Sequence, residues 1–147
     1  MNDTQPPQVV ATVGGPVDEA SVTLAVYGET LDPDYITTVL GCTPSSSHRK
    51  GDRKREGSVP YKLGAWFLQE RANPPATVDD LLGRLFARVP ERPDAWRSLA
   101  VEFDVQVRFS IFLAEWNRGF SVSKPHLQRL AAMGVSLEFD IYADQLG

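Results

Sequence analysis

A chain of 147 residues, 42% hydrophobic and 23% charged, has the length of one globular domain and enough apolar material to build a core without metal or disulfide staples. Its single cysteine, Cys42, excludes an intrachain disulfide and points to a reducing compartment, so a cytoplasmic location is expected. The net charge of −4 does not favour generic attraction to nucleic acid or anionic membrane, and the longest apolar runs, such as Ile111–Ala114, are too short to cross a bilayer.

Residues 1–19 hold Pro6, Pro7, Gly14, Gly15 and Pro16 and few large apolar side chains, which predicts an N-terminal arm ahead of one domain over residues 20–147. Met1–Gln8 has neither the basic start nor the apolar core of a signal peptide. Ser21–Tyr27 alternates with period two, a half-buried strand with Val22, Leu24 and Val26 inward, broken by Gly28. Asp32 then caps a helix, Pro33 suits its first turn, and Gly41 closes it with a left-handed residue. Residues 42–62 carry Pro44, three serines, Gly51, Gly57 and Pro60 and predict a long loop. A second strand follows around Ala65–Leu68, stopped by Asn73-Pro74-Pro75.

Thr77 caps a helix from Val78 to about Val89, whose apolar face is Val78, Leu81, Leu82, Leu85, Phe86 and Val89. A shorter helix runs from Asp94 to about Val101, and the longest strand from Val105 to Leu113. Trp116–Gly119 reads as a turn, with a short extended piece at Phe120–Val122. Ser123 caps a last helix presenting Leu127, Leu130, Ala131 and Met133 and ending at Gly134. The final strand is Val135–Tyr142, with Leu137, Phe139 and Ile141 inward. Fold class follows: α+β, a two-layer sandwich with a mainly antiparallel sheet and helices on one face. The echo of Leu31–Gly41 in Val122–Gly134 points further, to ferredoxin-like duplicated β-α-β units with a helical insertion.

Several features in order resemble one known family: Gly28, Leu31-Asp32-Pro33-Asp34-Tyr35-Ile36, Leu40-Gly41, Pro44, Lys50-Gly51, Trp66, the Leu127–Gly134 helix, and the ending Leu137-Glu138-Phe139-Asp140-Ile141-Tyr142. The set, over roughly Ser21–Tyr142, is similar to the family known as domain of unknown function 4279. The resemblance implies a small bacterial domain with no established catalytic residue to carry over. A role as an immunity protein against a toxin would suit such a small acidic domain.

Two surfaces are candidates for function. The first is a basic loop, in which Arg49, Lys50, Arg53, Lys54 and Arg55 outnumber Asp52 and Glu56. It could grip phosphates of an anion or nucleic acid or dock on an acidic protein, or simply be solvated; it has neither a Walker pattern nor interleaved aromatics. The second is the sheet face away from the helices, which would present Tyr27, Trp66, Arg108, Phe112, Glu138, Asp140 and Tyr142, with Phe67 as the alternative to Trp66. In a ferredoxin-like order, Ser21, Thr23 and Ala25 would floor a groove between Arg108 and the Glu138/Asp140 pair. A protein partner, a small ligand, a homodimer mate or the N-terminal arm could each cover this face, or it could be solvated.

No catalytic residue is assigned. Glu138 and Asp140 share a face and could in principle act as an acid/base pair, but carboxylates so placed are usually solvated or paired with arginine. His48 beside Ser45-Ser46-Ser47 has no orienting third group, and His126 in a first helical turn reads as a surface residue. Two histidines and one cysteine have no metal-ligand spacing, so neither metal nor cofactor is expected. The expected function is a non-enzymatic protein-binding module. The alternatives are a small-molecule binder or enzyme on the open sheet face, and an anion or nucleic-acid contact through the basic loop.

Overall fold

The computed structural model describes residues 19–72, 77–113 and 119–143. The N-terminal arm, the Asn73-Pro74-Pro75 break and the turn at Trp116–Arg118 therefore lie outside the described residues. In chain order the elements are β1 (Glu19–Gly28), α1 (Pro33–Leu40), β2 (Ser46–His48), β3 (Gly64–Ala72), α2 (Val78–Ala87), α3 (Pro93–Glu102), β4 (Asp104–Leu113), α4 (Lys124–Met133) and β5 (Ser136–Ala143). Phe120–Val122 is not a strand, and β2 lies inside what the sequence presents as loop.

The strands form one five-stranded sheet in the order β2-β3-β1-β4-β5, antiparallel throughout except for the parallel β4–β5 pair. The chain is thus an α+β fold with a mixed, mostly antiparallel sheet. The ferredoxin-like duplication is not what forms. There the two strands of each β-α-β unit would run parallel with a third strand between them, whereas β1 and β3 are direct antiparallel neighbours. Only β4-α4-β5 is a parallel unit. The likeness of the two halves lies in their helix caps, Asp32-Pro33 with Gly41 and Ser123 with Gly134, and caps fix helix ends without fixing strand order.

Local chemistry accounts for the helix boundaries. Asp32 accepts from the Asp34 N–H at 3.0 Å, Pro33 opens α1, and Gly41 ends it at φ +74°. Arg92 donates to the Val39 carbonyl at 3.0 Å, placing a cation at the C-terminal end of α1. Thr77 and Asp80 form a reciprocal capping box on α2. Ser123 is the N-cap of α4, but its hydroxyl makes no capping bond; Asp79, reaching across from α2, accepts from the Ser123 N–H at 2.8 Å instead.

The helices lie on one face of the sheet. Val22, Leu24 and Val26 of β1, Trp66 and Leu68 of β3, and Val107, Phe109 and Ile111 of β4 are fully buried beneath Leu81, Leu82 and Leu85 of α2, with Leu99 of α3 and Ile36 of α1. A Cβ at Gly28 would sit 2.5 Å from Cδ1 of buried Phe103, so any larger residue there would have to displace that ring. On α4, Leu130 and Met133 are buried, whereas Leu127 stays 47% exposed. This helix packs on α3 and α2, while β5 packs on β4. Leu137, Phe139 and Ile141 do share the helix-side face, with Phe139 stacked on Phe109 at 5.4 Å. They are not a buried row, since Phe139 and Ile141 remain 41% and 52% exposed.

Candidate functional site

Period-two alternation sends every second side chain to the face opposite the helices. Strand register then sets which of them meet. Gln69 of β3, Thr23 of β1, Arg108 of β4 and Glu138 of β5 form one row across the sheet; Arg71, Ser21, Ser110 and Asp140 form the next. A third row carries Phe67, Ala25 and Gln106, and a fourth Ala65, Tyr27 and Asp104. Small residues on the central strand β1 make the middle of this face low. Longer side chains on β3 and β4 rise on either side, leaving a concavity of about 320 Å³ lined by Thr23, Ala25, Tyr27, Phe67, Gln69, Arg108, Ser110 and Asp140, with Ser45 and Ser46 at the β2 edge.

The two sides differ in chemistry. One is aromatic: Tyr27 meets Phe67 edge to face at 5.6 Å, and His48, stacked on Tyr61 at 3.5 Å, stands 6.1 Å from Phe67. The other is a guanidinium. Arg108 donates to the Gln106 side-chain carbonyl at 2.8 Å and has its Nε 3.8 Å from Asp140. Both partners steady it from its own sheet face while the side chain remains 39% exposed. Gln69 donates to the Thr23 hydroxyl at 3.4 Å, and its backbone N–H donates to Ser45 Oγ at 2.9 Å. The site therefore offers an aromatic surface, a fixed cation and a set of neutral hydroxyl and amide groups.

The sequence-derived face is assembled with one correction. Trp66 is not on it: the indole is fully buried, and its Nε1 donates to Thr37 Oγ1 at 3.0 Å. Register with inward Val26 turns Trp66 toward the helices and brings Phe67 to the open side. A buried indole needs a hydrogen-bond acceptor, and the Thr37 hydroxyl on α1 supplies one. Of the remaining six, Tyr27, Arg108 and Asp140 line the concavity. Phe112 and Tyr142 pair across β4–β5 and line a second one of about 200 Å³ with Ser21, Arg71 and Ser110. Glu138 is exposed on edge strand β5, and the groove lies toward β3 rather than between Arg108 and the two carboxylates. Phe67, the alternative the sequence offers to Trp66, takes its place on this face, and Gln69, His48 and Tyr61 join it. Gln69 follows from period-two reading of β3 once its phase is fixed; nothing local announces the His48–Tyr61 stack.

The basic loop folds back on the acidic start of α1. Arg49 contacts Asp32 at 2.8 Å and Asp34 at 3.4 Å, and Lys50 contacts Glu29 at 2.9 Å. The hydrogen bond from Arg49, then that from the Asp34 N–H, holds the Asp32 carboxyl below its usual value; the hydrogen bond and charge of Lys50 do the same for Glu29. Arg53 donates to the Ser58 carbonyl, while Lys54 and Arg55 are exposed. Arg49 and Lys50 thus have carboxylate partners within the chain, and Gly51, at φ +91°, bonds to the Tyr61 carbonyl at 2.9 Å.

A second polar cluster was also missed. His126 is half-buried rather than a free surface residue: its Nδ1 lies 2.7 Å from Asp79 Oδ1, its ring meets Phe86 edge on, and Arg129 stands 4.5 Å over the same Phe86. Among the described residues no three His, Cys, Asp or Glu side chains come together as a metal-binding group, and no helix is long and apolar enough to cross a membrane.

An α+β domain with one sheet face packed by helices and the other, among the described residues, left as a polar, aromatic-walled groove is the class this architecture defines. The chain belongs to the family described as domain of unknown function (DUF4279), whose model matches residues 18–144. No curated protein and no solved structure matches it.

Proposed function

We propose that the protein is a non-enzymatic binding module that takes a protein partner on its open sheet face. The supporting observation is Arg108, in contact with Gln106 and Asp140, part exposed at the β4 side of a groove on the sheet face that no described element covers, with the Tyr27/Phe67 pair also lining it. Arginine beside part-exposed aromatic rings is the composition of interface hot spots. The chain's net charge of −4 suits a basic partner. An immunity or antitoxin-type role in the bacterial cytoplasm, against a basic toxin such as a nuclease, is the setting that fits these properties.

Tagged protein used as bait in nuclease-treated lysate of its own host is expected to retain one stoichiometric protein, and Arg108→Glu to lose it. A partner still held by Arg108→Glu would remove the open face from the proposal. A bait that retains nothing favours a second reading, a small polar ligand in the groove, which the concavity of about 320 Å³ supports because it falls in the size range of small-molecule sites.

A further inference from the structure

The β5 strand pairs with β4 along one edge only, and among the described residues no strand occupies its other edge. Alternate residues of this eight-residue strand therefore turn their backbone N–H and C=O groups to an edge that, among the described residues, is available to another strand. Its two faces differ sharply. On the helix side Phe139 and Ile141 are 41% and 52% exposed, and Phe120, 39% exposed, lies 5.7 Å from Phe139 and widens the apolar strip. On the open side the edge presents Glu138 and Asp140, both exposed.

We infer that the free edge of β5 is a strand-addition site for an extended peptide segment of a partner protein in which apolar and basic residues alternate. In that arrangement the partner's apolar side chains cover Phe139 and Ile141, while its lysines or arginines stand beside Glu138 and Asp140 on the other face. Main-chain bonds supply the attachment and the alternate side chains supply the selection. A second copy of this chain is the wrong occupant. Antiparallel β5–β5 pairing with a common open face sets carboxylate row against carboxylate row, and like charges directly opposite are destabilising. The acidic row blocks self-association while leaving the edge open to a basic strand. The inference extends the binding reading to a second surface, and the following test separates the two.

The probe is a fluorescent eight-residue peptide alternating lysine and valine, titrated against the full chain by anisotropy, with amide hydrogen exchange read along β5. Saturable binding is expected, with slowed exchange at β5. The glutamate–valine counterpart should bind at least about tenfold more weakly. N-methylation of alternate peptide bonds should abolish binding, since it removes the main-chain donors. Glu138→Lys, which lies outside the groove lining, should erase the preference for the basic peptide, and Ile141→Lys should weaken both. Phe67→Ala, which alters the groove and not the edge, should leave the affinity unchanged. No binding at millimolar peptide, equal binding of the acidic peptide, or undiminished binding after N-methylation would each overturn strand addition. Loss of binding in Phe67→Ala would instead place the peptide in the groove.

Discussion

Asp79 and His126 lock two helices together. Asp79 Oδ1, in the first turn of α2, accepts from the backbone N–H of Ser123 at 2.8 Å and lies 2.7 Å from His126 Nδ1 in the first turn of α4. An ionised carboxylate only accepts, so His126 carries a proton on Nδ1. One oxygen thus caps α4 from outside and fixes the histidine that packs on Phe86. Burial pushes the Asp79 carboxyl up, but the Ser123 and His126 hydrogen bonds together outweigh it and hold the group below its ordinary value.

A depressed carboxyl stabilises the fold above its unfolded-state pKa and ceases to do so as pH falls through the lower folded-state value. The Asp79 contribution is accordingly complete at neutral pH and starts to fall away only as the pH drops below about 4. Asp79→Ala is expected to cost about 1–2 kcal/mol at pH 7 by urea unfolding. Its deficit against the parent should shrink as the pH approaches 3. A deficit that stays constant across that range would show that the carboxylate's charge has no part in the lock.

Trp66 and Thr37 make a second separable pair. The indole is fully buried, so removing its acceptor leaves a donor without a partner. Thr37→Val keeps the side-chain volume and is expected to cost about 1–3 kcal/mol. Trp66→Phe removes the donor as well but leaves a void, and Trp66→Ala should cost about 3–5 kcal/mol. In the double variant Thr37→Val, Trp66→Phe the polar penalty disappears, so the two single costs should not add. Simple additivity in denaturant titrations would mean the hydrogen bond contributes nothing.

The same pair shows where sequence reading reached and where it stopped. Period-two alternation assigned β1 and β4 face by face, because each alternates large apolar residues with small or polar ones through most of its length. In β3 the run Ala65-Trp66-Phe67-Leu68 is apolar on both faces, so periodicity has no phase there, and only pairing with Val26 decides it. Helix caps were legible as short-range patterns. Strand order was not: it depends on where α2 and α3 pack, a choice made by the whole core. Of the open face, the sequence exposed Tyr27, Arg108, Phe112, Glu138, Asp140 and Tyr142, but not the distance between Arg108 and each carboxylate. His126 and Asp79 are 47 residues apart, and nothing local joins them.

The basic loop offers a prediction about charge. Arg49 and Lys50 face Asp32, Asp34 and Glu29 across exposed pairs, and such pairs contribute little to stability. Arg49→Gln is expected to change unfolding free energy by less than about 1 kcal/mol. Asp32→Ala loses the α1 cap as well and should cost about 1 kcal/mol. Because Arg49 and Lys50 already have carboxylate partners, retention on immobilised heparin should depend mainly on Lys54 and Arg55. Strong heparin binding that falls equally with Arg49→Gln and Lys54→Gln, and steeply with added salt, would instead reveal a phosphate-gripping loop.

On the open face the informative comparison is between Arg108 and Glu138. Arg108 touches both Gln106 and Asp140 on its own sheet face, while Glu138 lies outside the groove lining. Arg108→Ala is expected to weaken a partner bound to this face by roughly 2 kcal/mol, about thirtyfold, in calorimetric titration. Asp140→Asn removes one of the two groups that orient the guanidinium and should cost a few-fold. Glu138, exposed on β5 and outside the groove lining, should cost still less there as Glu138→Gln. That ranking separates a binding face from an acid/base centre. Were Glu138 and Asp140 proton carriers, Glu138→Gln would abolish turnover almost entirely while leaving affinity near that of the parent, because proton transfer has no partial substitute where hydrogen bonding does.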